Sequence, residues 1–235
     1  YFDDGLERRV APEKLIPEAL PFYKRAMRIH DLPQTPVETQ VSVEVDPMEV
    51  ARVRDNAQVN FTFDQHGYVH LCLRDELSDS YISALHTPMV KNIEKVKYRY
   101  SDPSTFVGLL YLLKSYADAQ NVEYLELFVK ASDVQVQKIL RWNGMLIQGY
   151  VPGWMETKNG QSIDQREDAV VFGWTDRKID LNELKLTPEG NQLLELIRAQ
   201  GEVVGDTSVA TYDPEQWNAM SQLRIVNQIR VLANA

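Results

Sequence analysis

Residues 94–130, EKVKYRYSDPSTFVGLLYLLKSYADAQNVEYLELFVK, decide the fold class of this chain. The first seven alternate, with Val96, Tyr98 and Tyr100 on one face and Lys97 and Arg99 on the other, which is strand periodicity. Ser101-Asp102-Pro103 then supplies a capping side chain and a proline at the first helical position, predicting a helix from 103 to about Gln120. Residues 122–130 return to strand composition, rich in aromatic and aliphatic side chains. Two strands joined through a helix form the crossover that parallel neighbours require. The strands 94–100 and 122–130 are therefore predicted to lie side by side and parallel.

Outward from this unit the pattern stays mixed. Upstream, 12–29 reads as a helix interrupted or restarted at Pro17 and Pro21, and 39–45 (TQVSVEV) alternates like a strand. Asp46-Pro47 repeats the cap-then-proline signal and opens a helix to about Asn56. A hairpin follows, 58–63 with 67–74, turning near Gly67, and Tyr81 to Leu85 suits a further strand before Pro88. Downstream, Ser132 or Asp133 caps a helix that stops at Asn143-Gly144. Strands are predicted at 145–151 and 168–174, joined by a polar loop containing Asn159-Gly160. Helices are predicted at 188–200 and 214–232, behind Thr187-Pro188 and Asp213-Pro214. From 39 to 174 the order is β-α-β-β-(β)-β-α-β-α-β-β, an α/β chain with a mixed sheet and helices on both faces.

Composition narrows the partners. The 235 residues carry 25 basic against 34 acidic side chains, a net charge of −9. Such a surface argues against nucleic acid or an anionic membrane as the main partner. One cysteine, Cys72, leaves no intrachain disulfide framework and points to a reducing, cytoplasmic setting. No apolar run approaches the roughly 20 residues of a membrane-spanning helix. No signal-peptide pattern stands at the start, and since the chain opens at Tyr1 without a methionine, upstream residues are expected.

The stretch 96–174 resembles the GNAT superfamily of acyl-CoA-dependent N-acetyltransferases. Strand, helix 103–120, strand, helix 132–143 and Gly144 come in that family's order, followed by Gly149-Tyr150-Val151-Pro152-Gly153-Trp154 and then Glu167-Asp168 before the last strand. The resemblance implies a GNAT-like domain over 37–180, with helical extensions at 1–36 and 181–235. It also implies strands 94–100 and 122–130 that splay at their C-terminal ends, and acetyl-CoA or another acyl-CoA as cofactor. On the cofactor side it places Tyr98, Tyr100, Ser104, Thr105 and Asp133. The family's CoA loop, Q/R-x-x-G-x-G/A, uses glycines and a helix N-terminus to hold pyrophosphate through backbone N–H groups. Here it falls on Ser101-Asp102-Pro103-Ser104-Thr105-Phe106, and Gly108 comes two residues late. The loop thus has a carboxylate where phosphate would sit and a proline without an N–H. The tyrosine that protonates the departing thiolate in the family aligns with Leu140.

Each remaining candidate has a structural reading beside its functional one. Glu126 is mid-strand, where it could deprotonate an amine or pair with a basic neighbour. Tyr150 and Trp154 suit either an acceptor pocket or packing at a strand end. Tyr98, Tyr124, Tyr150 or water would have to replace the missing general acid. Glu167 and Asp168 point to opposite faces of a strand, so a solvated strand end is expected. His66, His70, His86 and Cys72 do not amount to a metal site, and no metal is expected. No nucleophile-elbow pattern supports a Ser-His-Asp triad. Lys91, Lys95, Lys97 and Arg99 form a small basic cluster. The stripe Leu223, Ile225, Val226, Ile229 and Leu232 suits either self-packing or a protein partner. Two function classes follow. One is an atypical GNAT-type N-acyltransferase acting on an unidentified amine. The other is a non-catalytic GNAT-fold protein serving as a binding or assembly subunit.

Overall fold

Asp46 and Asp102 open two helices by the same device. Asp46 accepts from the Met48 N–H at 2.9 Å and Asp102 from the Thr105 N–H at 3.0 Å, each with a proline at the first helical position. The computed structural model describes residues 9–159, 162–175 and 185–200. Its strands are β1 (Arg9–Val10), β2 (Gln58–Phe63), β3 (Val69–Asp75), β4 (Ser80–Thr87), β5 (Asn92–Arg99), β6 (Tyr124–Lys130), β7 (Leu146–Asn159) and β8 (Ser162–Thr175). Its helices are α1 (Leu20–Ile29), α2 (Pro47–Asn56), α3 (Pro103–Ala119), α4 (Val134–Trp142) and α5 (Pro188–Arg198). The strands are counted in one eight-stranded mixed sheet, a GNAT-like α/β layout. Two compact units carry these elements: residues 44–127 with Thr175, and the described residues of 1–43, 128–174 and 179–205. These units divide the molecule in space, whereas the three-part division expected from sequence runs along the chain.

In the first unit β2, β3, β4 and β5 form an antiparallel meander, and β6 joins β5 in parallel through α3. The predicted crossover is therefore present. Pairing places Val59, Leu73, Ile82 and Tyr98 in one row and Phe63, Val69, His86 and Ile93 in another. This face meets α3, where Tyr116 contacts Phe61 and His86, and Phe106 contacts Tyr98. Helix α2 packs on α3 at Gly108, where an added Cβ would lie 2.7 Å from Val53 Cβ and 3.2 Å from the Val50 carbonyl. Gly108 thus lets the two helices approach closely, in a space that a side chain would fill. The Arg52 guanidinium, paired with Glu49 and Asp75, ties α2 to the end of β3.

In the second unit β1 lies parallel to β8, and β7 and β8 form a long hairpin. Helix α4 starts at Asp133, whose side chain accepts from the Val136 N–H, and ends before Gly144 at φ +79°. Gln137, fully buried on α4, donates to the Ala131 carbonyl at 2.9 Å and so fixes the helix to the end of β6.

Four expectations change. The helix read over 12–29 begins only at Pro17, as a short 3-10 turn leading into α1, because each proline withholds an N–H from the helical ladder. The 39–45 segment keeps its alternation in exposure but pairs with no strand among the described residues. The strands read at 145–151 and 168–174 extend to fourteen residues each. Pro152-Gly153-Trp154, which the sequence places in the loop after strand 145–151, is a bulge within β7, since Val151 pairs with Ala169 and Met155 with Glu167. The segment 214–232 lies outside the described residues, and so does the fate of its apolar stripe.

Candidate functional site

Strands β5 and β6 pair at only two positions, Asn92 with Tyr124 and Ile93 with Leu125. Immediately beyond, β5 carries a bulge. Ser83 pairs with Lys97 and Leu85 with Glu94, so Lys95 and Val96 together face the single residue Ala84. Lys95 takes φ +53°, a left-handed value costly for a side-chain-bearing residue. The bulge shifts the strand's parity, which is why Ile93 and Val96, three apart, are both buried. Bulges of this kind re-aim a side chain or end the pairing of a strand. This one falls where two parallel strands stop pairing, which is the splay expected of strands 94–100 and 122–130. No residue type in EKVKYRY marks the bulge, and sequence reading missed it.

Glu126 follows the last position of β6 that pairs with β5 and is half-buried, accepting from the Tyr124 hydroxyl at 3.2 Å. Tyr98 and Tyr100 are half-buried, their rings 5.3 and 5.5 Å from Phe106. Phe106 is 0% exposed and fills the space behind them.

The start of α3 is closed by its own side chains. Asp102 accepts from the Thr105 N–H and, at 2.6 Å, from the Thr105 hydroxyl, and Ser101 donates to it at 2.7 Å. The Phe106 N–H goes to the Asp102 carbonyl, and the Ser104 hydroxyl accepts from the Asp46 N–H at 2.8 Å. Burial alone would raise the Asp102 pKa, but the hydrogen bonds from Thr105, Ser101 and Ser104 hold it below the usual carboxylate value. A helix start whose donors are committed to an ionised carboxylate offers little to a diphosphate. Thr105 and Ser104 are both buried. Asp133 is occupied as the cap of α4, and Leu140 is fully buried.

In the second unit the acidic pair divides as its strand geometry requires. Glu167 pairs with Lys130 at 2.8 Å and takes a bond from Ser132. Asp168 corrects the expectation of a solvated end, since it is 0% exposed. The Tyr150 hydroxyl donates to it at 2.7 Å, the Gly153 N–H at 2.8 Å and Arg9 Nε at 2.6 Å, with a second Arg9 nitrogen completing a two-pronged ion pair. Burial and the neighbouring carboxylate push the Tyr150 pKa well up. Its hydroxyl is thus held protonated and committed to Asp168. Trp154 is 56% exposed and stacks on Phe128 at 5.2 Å.

His86 Nδ1 and the Tyr116 hydroxyl lie 2.9 Å apart beneath the sheet, and His86 Nε2 is buried with no partner among the described residues. Burial lowers the imidazole pKa from 6.5 and raises the tyrosine to about 12. The neutral form of each is therefore the one the fold favours. An unfolded chain binds a proton at histidine that the folded chain resists, so this contribution is complete above about pH 6.5 and fades as pH falls below it. The tyrosine contribution is complete below about pH 10 and is lost towards 12. Urea titrations of the native chain and of His86→Phe from pH 7.5 to 5 are expected to show a steeper acid loss in the native chain. Parallel curves would refute the assignment.

No protein-family profile matches the chain, and no curated protein matches its sequence. Solved structures do. A Staphylococcus epidermidis protein described as a probable acetyltransferase matches at 10% identity and TM-score 0.38, covering 69% of this chain and 96% of the other. Nourseothricin acetyltransferase matches at 12% identity and TM-score 0.34, covering 51% and 84%. The acetyltransferase of microcin C7 self-immunity, MccE, solved with acetyl-CoA and AMP, matches at 9% identity and TM-score 0.33, covering 46% and 59%. In three further acetyltransferase structures, one of them from T. thermophilus, the match spans 62%, 66% and 66% of those chains, less than two thirds. At these TM-scores the likeness by itself places no residue of the site. The chain's own layout, with β5 and β6 parallel, joined by α3 and parting after two pairs, is that of a GNAT-like fold.

Proposed function

We propose that this chain is an atypical GNAT-type N-acyltransferase that takes its acyl donor by the thioester end rather than by the diphosphate. The observation that carries this reading is the parting of β5 and β6 at the Lys95 bulge. An acyl-thioester entering there would meet backbone N–H groups of β5, which can polarise its carbonyl. Glu126, at the same level of β6, would accept the proton from the amine as the nitrogen attacks and the C–S bond breaks. The departing thiolate would take its proton from water, because Leu140 has none to give and the Tyr150 hydroxyl is held by Asp168. Acetyl-CoA is the donor that the fold suggests, and the acceptor amine is open.

The closed start of α3 sets the test. Acetyl-CoA and S-acetyl-pantetheine, which lacks the diphosphate, are expected to bind within about tenfold of one another by calorimetry, a gap of about 1.4 kcal/mol. Asp102→Asn keeps a capping side chain and removes the charge, so it is expected to tighten acetyl-CoA and leave the pantetheine thioester unchanged. Tight acetyl-CoA binding with no pantetheine binding would refute the closed helix start. If neither raises the melting temperature at millimolar concentration, the transferase reading falls, since a ligand of the native state must stabilise it. The second reading then stands: a non-catalytic GNAT-fold subunit, favoured by the commitment of Asp102, with segment 214–232 offered to a protein partner.

A further inference from the structure

We infer that the chain pairs with a second copy of itself through β2, making an antiparallel two-fold dimer. Among the described residues β2 is the last strand of its sheet, so one side of its backbone has no strand beside it. Natural edge strands are commonly protected by a charge, a proline or a bulge. The six residues of β2, QVNFTF, contain no charge and no proline, and pair with β3 in unbroken register.

The strand is also complementary to itself. A two-fold axis through Phe61 sets Phe61 opposite its copy, Phe63 opposite the copy's Val59, and Thr62 opposite the copy's Asn60. Apolar side chains then meet apolar ones on the face that packs against α3, and uncharged polar ones meet on the other. Phe63, 69% exposed and edge-on to Phe61 at 6.2 Å, would gain cover from the copy's Val59. Two chains of net charge −9 repel. A strand without charge is where they can approach with no like-charge pair across the contact. The pairing is isologous, so it closes at two chains rather than growing into a fibre. It is independent of whether an acyl group binds at β5.

Sedimentation equilibrium tests this on the full chain. The native protein is expected at twice its 27.0 kDa mass. Asn60 and Thr62 are exposed, so N60K/T62K is expected to keep the native melting temperature when both are measured below the dimer midpoint, while weakening the dimer at least tenfold through two like-charged cross-strand pairs. Mixing it with N60E/T62E is expected to restore a 1:1 dimer. Hydrogen exchange on the native chain gives a readout that needs no variant, because the β2 amides are expected to slow as concentration rises through the dimer midpoint. A monomer at every concentration, a dimer that survives both charged variants unchanged, assembly beyond two, or concentration-independent β2 exchange would each overturn the inference.

Discussion

Asp168→Ala is expected to lower the stability of the protein by about 3–5 kcal/mol, the usual cost of leaving one partner of a buried ion pair uncompensated. The carboxylate accepts from Arg9, Tyr150 and the Gly153 N–H, and no part of it reaches solvent. Arg9 is itself nearly buried, with its side chain 8% exposed, so it cannot recover full hydration when its partner is removed. The Tyr150 hydroxyl and the Gly153 N–H would lose their acceptor as well. The double variant Arg9→Met, Asp168→Leu removes both charges and is expected to recover a large part of the loss. Urea denaturation of the single and double variants measures both. A loss under about 1 kcal/mol for Asp168→Ala would show that the pair behaves as a solvated surface contact.

Phe106→Ala is expected to cost about 3–5 kcal/mol, as truncating a fully buried aromatic does. From sequence, Phe106 stands where the GNAT loop has glycine, and replacing it with glycine looks like a way to reopen a cradle. The structure reverses that reasoning. Phe106 is 0% exposed and touches Tyr98 and Tyr100, so truncation leaves a cavity in the core of the first unit. Glycine would add roughly 1 kcal/mol of helix cost to the cavity. Acetyl-CoA affinity is expected not to improve, in contrast to Asp102→Asn. Equilibrium denaturation with calorimetry on the same samples checks both halves, and an unchanged midpoint would show that Phe106 is not core.

The amino-acid sequence by itself determined the local signals and much of their order. Asp46-Pro47 and Asp102-Pro103 start helices because the carboxylate and the fixed proline φ act within one turn of chain. Gly67 and Gly144 mark a hairpin turn and a helix stop for a similarly local reason, a left-handed backbone that few other residues take easily. The parallel pairing of β5 and β6 was legible because a helix between two strands has few ways to return. Only tertiary structure decided the rest, since it depends on residues far apart in sequence. The 39–45 segment has strand alternation but no strand to pair with among the described residues, and alternation cannot supply a neighbour. Asp168 looks like a solvated strand end until Arg9, 159 residues away, meets it. Gly108 looks like a misplaced loop glycine until Val53 of α2 occupies the space its Cβ would take. The bulge at Lys95 has no residue signature, because it lies in the register that β5 adopts against β4, where Lys95 and Val96 share the single partner Ala84.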